Sequence, residues 1–211
     1  MRKGESTRER ILQATAPLFN RRGFAGASMA DVMGTVGLEK GGIYRHFPSK
    51  DALALASFDY AIDLVAVRIR EALDGAATAP DQLLALVDLW RTLALDPPVA
   101  GGCPLLNTAI EADDTHPALR ERARAAMSRL LARVRRIVEE GTSRGELRAE
   151  VDAEAVASLF VGTLEGALFL TRLHDDDAHM HRAATHLRAL VREYAAPVVR
   201  ASAQSSTRDP G

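Results

Sequence analysis

Apolar residues recur at helical spacing along most of this chain. From Ser6 to Arg22 the positions Ile11, Leu12, Thr15, Leu18 and Phe19 form one inward stripe, which predicts an amphipathic helix. Pro17 lies inside that stripe and removes a backbone donor, so a kink is expected there, and Gly23 is expected to end the helix. Ser28 has the chemistry of an N-cap for a short helix from Met29 to Thr35, with Met29, Val32 and Met33 facing inward. A tight turn around Gly37 leads to a third short helix over Lys40 to Phe47, and three helices so connected make a helix-turn-helix.

Beyond Pro48 the elements lengthen. Ser49 caps a helix running to about Leu73, and Asp74 to Pro80 reads as a linker. Helices follow over Asp81 to Leu95, Cys103 to Ala112 and Pro117 to Arg144, with a loop at Asp96 to Gly102. After Gly145 to Asp152, two more helices are expected, Ala153 to Leu173 and Ala178 to Val199. The stretch from Ala201 onward is small and polar, which predicts disorder. No period-two alternation is visible, so the expected fold is all-α.

Composition supports this reading and adds a compartment. Ala, Leu, Arg and Glu dominate the 211 residues, a mixture that favours helices. No apolar run reaches the roughly 18 residues of a membrane span and no signal-peptide core opens the chain, so a cytoplasmic protein without membrane contact is expected. The single Cys103 excludes an internal disulfide framework. Charge is unevenly spread within the net −1: residues 1–50 hold nine Lys/Arg against four Asp/Glu, including all three lysines, and the remainder is acidic. A basic head on an acidic body predicts that the head alone meets a polyanion.

The segment "LEKGGIYRHFPSK" sharpens that expectation. Two adjacent glycines in a short helix cost roughly 1 kcal/mol each against alanine. The cost has a purpose if the helix must come close to base edges. Lys50 at a helix start opposes the dipole unless a phosphate sits there too. Tyr44, Arg45 and His46 offer a hydroxyl and basic groups to a phosphate strand, and Ile43 and Phe47 seat the helix on its core.

Residues 8–53 resemble the TetR family of one-component bacterial regulators. Leu18, Phe19, Gly23, Phe24, Ser28, Asp31, Val32, Gly37, Lys40, Gly41, Tyr44, His46, Phe47, Ser49 and Lys50 carry the likeness. The resemblance implies a homodimer whose heads enter successive major grooves of a double-stranded DNA operator, joined to a helical ligand-binding and dimerisation body. It implies that Lys40, Tyr44, His46 and Lys50 contact phosphates. Gly41, Gly42 and Arg45 would face base edges, and Ser28 would cap its helix and reach the backbone. Glu39 and Ala27 depart from the pattern, where a hydroxyl residue and a threonine are commoner, and this leaves the operator sequence open. The division expected is residues 1–50 for DNA, 51–200 for ligand and dimer, and 201–211 as a disordered tail.

Two features of the body point to sites. Gly162, Gly166 and Ala167 form a small-residue strip. With Leu159, Phe160, Leu164, Leu168 and Phe169 they predict a subunit interface, completed by Leu187, Leu190, Val191 and Tyr194; the alternative is that both helices only finish the monomer core. In "CPLLNTAIE", Cys103, Asn107 and Glu111 fall at i, i+4 and i+8 on one helical face, and the lone Trp90 lies on the preceding helix. These four are the expected ligand-binding residues of an apolar chamber for a small-molecule effector. The Gly-Cys-x-x-x-Asn stretch also resembles a branch of the TetR family whose members include sensors of reactive electrophiles. A helix start would lower the Cys103 thiol pKa, whereas the alternative is a structural cysteine with Asn107 bonding the 96–102 loop.

Other motifs carry less. His181 and His186 are five apart, which does not place two ligands on one helical face, so no metal is expected, and no other cofactor is implied. The arginines of residues 120–136 are distributed around their helix and read as a solvated face. No nucleophile–base set or phosphate loop points to an enzyme. The expected function is a ligand-responsive repressor, with a helix-turn-helix protein that organises DNA without a ligand, or an enzyme using the helical chamber, as the alternatives.

Overall fold

The computed structural model describes residues 3–197, so the expected disordered tail, 201–211, lies outside the described residues. Among them run nine helices: α1 (Lys3–Gly26), α2 (Met29–Val36), α3 (Lys40–Tyr44), α4 (Lys50–Leu73), α5 (Ala79–Leu95), α6 (Pro104–Ala112), α7 (Pro117–Ser143), α8 (Ala153–His174) and α9 (Ala178–Tyr194). The all-α fold is as the periodicity predicts.

Local chemistry sets the boundaries. Ser28 and Asp31 form a reciprocal capping box at the start of α2, and Gly37 closes that helix in the left-handed region at φ 69°. Ser49 caps α4 through the Ala52 amide, Thr78 caps α5 and Asp152 caps α8. Pro17 sits inside α1 without leaving helical dihedrals. The break in α1 falls at Gly23, whose φ of 74° and ψ of 169° leave helical geometry. Helix α3 is shorter than predicted, because Arg45 to Phe47 continue as a turn closed on the Ile43 carbonyl. Helix α9 stops at Tyr194. There the Tyr194 carbonyl accepts from the Arg148 amide and the Ala196 amide donates to Glu146, so the chain pairs with the α7–α8 loop as an isolated antiparallel bridge.

Three larger apolar clusters organise the described residues, beside a small fourth one of Ala16, Ala61 and Val99. The head closes around Ile11, Leu18, Val32, Ile43, Phe47 and Leu53, the last contributed by α4. The body closes around α5, α7, α8 and α9, with Leu83, Trp90, Val138, Phe160, Leu164 and Leu187 at its centre. Between them Phe58, Leu105, Leu119 and Ala123 gather under Phe24, so α4 and α6 both run from head to body. A buried bond between Thr15 and Ser57, 2.8 Å long, ties α1 to α4.

Helix α8 departs from one expectation. By length and composition it is the one helix among the described residues apolar enough to cross a membrane. Yet 44% of its apolar window is buried inside the fold. Its apolarity is that of a core helix with one face left over.

Candidate functional sites

In the head, Lys40, Gly41 and Arg45 are exposed on one side of α3, with Gly42, Tyr44 and His46 half-buried beside them. The Lys40 ammonium lies 5.6 Å from the Tyr44 ring centroid. The Ser28 hydroxyl, exposed, is already engaged with Asp31 at 2.6 Å. A Cβ built on Gly41 meets no atom within 4 Å, and on Gly42 it meets only Leu38 at 3.7 Å. Nothing inside the chain therefore requires these glycines. Lys50 is placed differently from the expectation: its ammonium donates to the Phe24 carbonyl at 2.5 Å and sits 4.3 Å from the Phe24 ring centroid. Phe24 also meets the His116 ring, edge-on at 4.6 Å. The ammonium is thus turned toward Phe24, at the joint between head and body.

The face predicted on α6 exists, but most of it addresses the head. At the Gly23 break the Phe24 and Ala25 amides lose their helical acceptors. Both donate to the Glu111 carboxylate, each at 2.9 Å. The Asn20 carbonyl that Phe24 would have used accepts from the Asn107 side chain at 3.2 Å, and Asn107 also donates to Asn20 Oδ1 and to the Gly101 carbonyl. The expectation that Asn107 and Glu111 line the chamber is thereby corrected: one turn apart, they splice α1 across its break. The bond to Gly101 is the loop contact foreseen as the alternative.

The chamber itself lies at the other end of α6. It is a cavity of about 180 Å³ walled by Ile62, Ile69, Trp90, Leu93, Cys103, Leu105, Leu130 and Leu168, with Pro97 and Pro98 from the loop. Arg129 and Arg133 of α7 line it and are exposed. Its polar centre is Glu165, which sequence reasoning missed. Glu165 is 6% exposed; its Oε1 accepts from Trp90 Nε1 at 3.2 Å and from the Cys103 thiol at 3.5 Å. Its Oε2 is buried without a partner. Burial raises the Glu165 carboxyl above its ordinary range despite those two donors.

The same surroundings reverse the expectation for Cys103. Desolvation first, and the Glu165 charge second, raise its thiol well above the ordinary value, outweighing the Leu105 and Leu106 amides at the helix start. Cys103 is held as a thiol.

On α8 the predicted interface divides by face. Phe160, Leu164 and Leu168 are buried in the body core, and so is Leu187 of α9 at 2% exposure, which removes it from any free surface. Leu190 and Tyr194 are half-buried. Leu159, Phe169, Leu170 and Leu173 stay exposed, together with Gly162 and Gly166, as one stripe along α8. A Cβ at either glycine meets nothing within 4 Å. Among the described residues no group of three or more His, Cys, Asp or Glu is placed to hold a metal ion.

A short helix-turn-helix set on a helical body with an internal chamber is the build of a DNA-binding transcription regulator. Residues 11–57 match the family described as bacterial regulatory proteins, tetR family, and residues 79–187 match the tetracyclin repressor-like C-terminal domain. The chain belongs to the TetR family of transcriptional regulators. It is similar to the HTH-type transcriptional regulator CymR of Pseudomonas putida, 28% identical with 89% of this chain and 90% of that protein covered. It is 31% identical to the nucleoid occlusion factor SlmA of Marinobacter nauticus over 77% of this chain and 82% of the relative. A crystal structure of a TetR transcriptional regulator from Chloroflexus aurantiacus superposes with a TM-score of 0.89 at 47% identity, covering 93% of this chain and 99% of that one. Regulators of this family bind operator DNA.

Proposed function

We propose that this chain is a ligand-responsive repressor that holds a palindromic operator as a homodimer and releases it when a small, mainly apolar effector enters the chamber. It works in the cytoplasm, beside the DNA it controls. Helix α6 carries the reading. Its N-terminal end walls the chamber through Cys103, Pro104 and Leu105, and one and two turns on Asn107 and Glu111 grip the broken end of α1. Displacement of α6 by an occupant is therefore felt by the head. An effector needs only to favour the conformation whose heads no longer match the groove, and a shift from 1:99 to 99:1 takes about 5.5 kcal/mol of differential binding.

Gly41 and Gly42 support the DNA surface because no internal contact accounts for them, so close approach of a partner is the remaining use. Lys40, Tyr44 and His46 take phosphates in this reading, Arg45 reads bases, and Ser28 reaches the backbone from its cap. Lys50 holds the head to the body. Gly162 and Gly166 support the dimer on the same logic, with Leu159, Leu190 and Tyr194 around them.

The test selects duplexes from a random pool on the full-length protein and measures affinity by fluorescence anisotropy. Enrichment of a palindrome with half-sites on the order of 34 Å apart is expected, and Arg45→Ala should weaken binding while relaxing base preference. Enrichment of non-palindromic sequences, or indifference to Arg45→Ala, overturns the reading.

A further inference from the structure

We infer that the chamber is an amine site, in which the ammonium of a small apolar amine docks on the free Oε2 of Glu165. The inference rests on the ligand-responsive reading and names the chemistry of its ligand. Oε1 is occupied by the Trp90 indole N–H and the Cys103 thiol, whereas Oε2 is buried with no donor from the protein, and a ligand in the chamber that Glu165 lines meets it once the carboxylate turns toward the cavity. An unpaired buried carboxylate oxygen is costly, and a ligand that supplies its missing donor recovers that cost on binding. Apart from Cys103 and the exposed Arg129 and Arg133, the side chains around it are aliphatic or aromatic, so a bound molecule must be mainly apolar apart from the group that reaches Oε2.

Three polar groups could reach it, and charge separates them. A hydroxyl supplies one donor and leaves the carboxylate charge uncompensated. A second carboxylate is repelled at short range in a medium of low dielectric. An ammonium supplies the donor and the opposite charge together, and the Trp90 indole in the same wall adds a surface that attracts cations. The opposing feature is the pair Arg129 and Arg133. Both are exposed, so water and salt screen them far more than they screen Glu165. Size limits the apolar part: a dry cavity of about 150 Å³ holds benzene, so about 180 Å³ takes one ring with a short arm.

Trp90 is the single tryptophan of the chain and bonds directly to Glu165, so its fluorescence reads the site without a label. The experiment titrates full-length protein with 2-phenylethylamine, 2-phenylethanol and 3-phenylpropanoate, which share a ring and differ in the terminal group. The amine should bind wild type about ten- to hundredfold more tightly than the alcohol, the ordinary size of a hydrogen bond to a charged group. Glu165→Gln, checked for its fold by circular dichroism, should erase that preference. The wild-type series is decisive even if the variant fails to fold. Equal or tighter binding of the alcohol or the acid overturns the amine assignment, and so does a preference that survives Glu165→Gln or a failure of all three to perturb Trp90 at millimolar concentration. Operator affinity measured in the same samples separates the two readings. A tight acid or alcohol that releases DNA leaves ligand response standing and removes the amine. A tight amine that leaves DNA binding unchanged supports the site and removes ligand response.

Discussion

Replacing Glu111 with alanine tests the splice between α6 and the head. The Glu111 carboxylate is the acceptor for two amides stranded by the Gly23 break, Phe24 and Ala25, each at 2.9 Å. A hydrogen bond to a charged group contributes roughly 1.5–3 kcal/mol. Ala25 is exposed, so water replaces most of what its amide loses, while the Phe24 amide is partly buried and keeps a larger share of the penalty. The sum is a destabilisation of about 2 kcal/mol, discounted for exposure. For a chain of this size each kcal/mol moves the melting temperature by roughly 2–4 °C, so a fall of about 4–8 °C is expected by calorimetry. Hydrogen exchange localises the effect: the Phe24 amide should lose protection while the amides of α8 keep theirs. Glu111→Gln, which retains an acceptor oxygen without the charge, should fall between. On the proposed ligand-responsive reading the clamp transmits, so in Glu111→Ala an occupant of the chamber should still bind and change operator affinity less than in wild type. A melting temperature within about 2 °C of wild type, with Phe24 protection unaltered, would refute the reasoning.

Other outcomes follow from side chains that do, or do not, have neighbours. Gly23→Ala should destabilise more than an ordinary surface change, because its Cβ would stand 2.5 Å from Glu111 Oε1 and its φ is 74°; thermal melts check this. Gly166→Leu should leave the monomer fold intact and produce monomers in sedimentation, since no atom lies within 4 Å of the added Cβ; a persisting dimer would remove this face from the interface. Gly41→Ala should hold or raise stability by up to about 1 kcal/mol yet weaken operator binding in anisotropy titrations, and unchanged affinity would mean that DNA does not come close there. Glu165→Gln should change stability in a pH-dependent way. Burial raises the native carboxyl, so the folded state holds its proton better than the unfolded chain, and wild type loses stability as pH rises from about 4 through the raised native value. The variant's melting temperature should therefore gain on wild type toward neutral pH, and a constant difference across that range would contradict the burial penalty.

The head was legible because its determinants are local. Ser28 and Asp31 three residues apart, the left-handed turn at Gly37 and the inward Val32, Ile43 and Phe47 each act within a few positions of chain, where spacing carries most of the information. Farther apart, spacing identifies a face without identifying its neighbour. Asn107 and Glu111 do share a face of α6, yet whether that face meets a chamber or a broken helix depends on Gly23, more than eighty residues earlier. Cys103 also left the face, because as the N-cap its backbone is extended, at φ −68° and ψ 113°, and the helical wheel does not apply to it. The same limit shortened α9, which ends where a bridge to Leu147 forms.

Glu165 is a different case, since its signal was present in the sequence. Positions 161, 164 and 168 of α8 are Val161, Leu164 and Leu168, all buried, and Glu165 lies among them at helical spacing, away from the exposed Gly162 and Gly166. A carboxylate on the buried side of an otherwise apolar helix must find donors or lose its charge. The chain offers one tryptophan for that task, and Trp90 supplies its N–H to one oxygen. A side chain whose burial is only half compensated within the fold marks where a partner from outside has most to gain. Here that place is Glu165, which lines the apolar cavity that α6 also touches and whose Oε2 is buried without a partner.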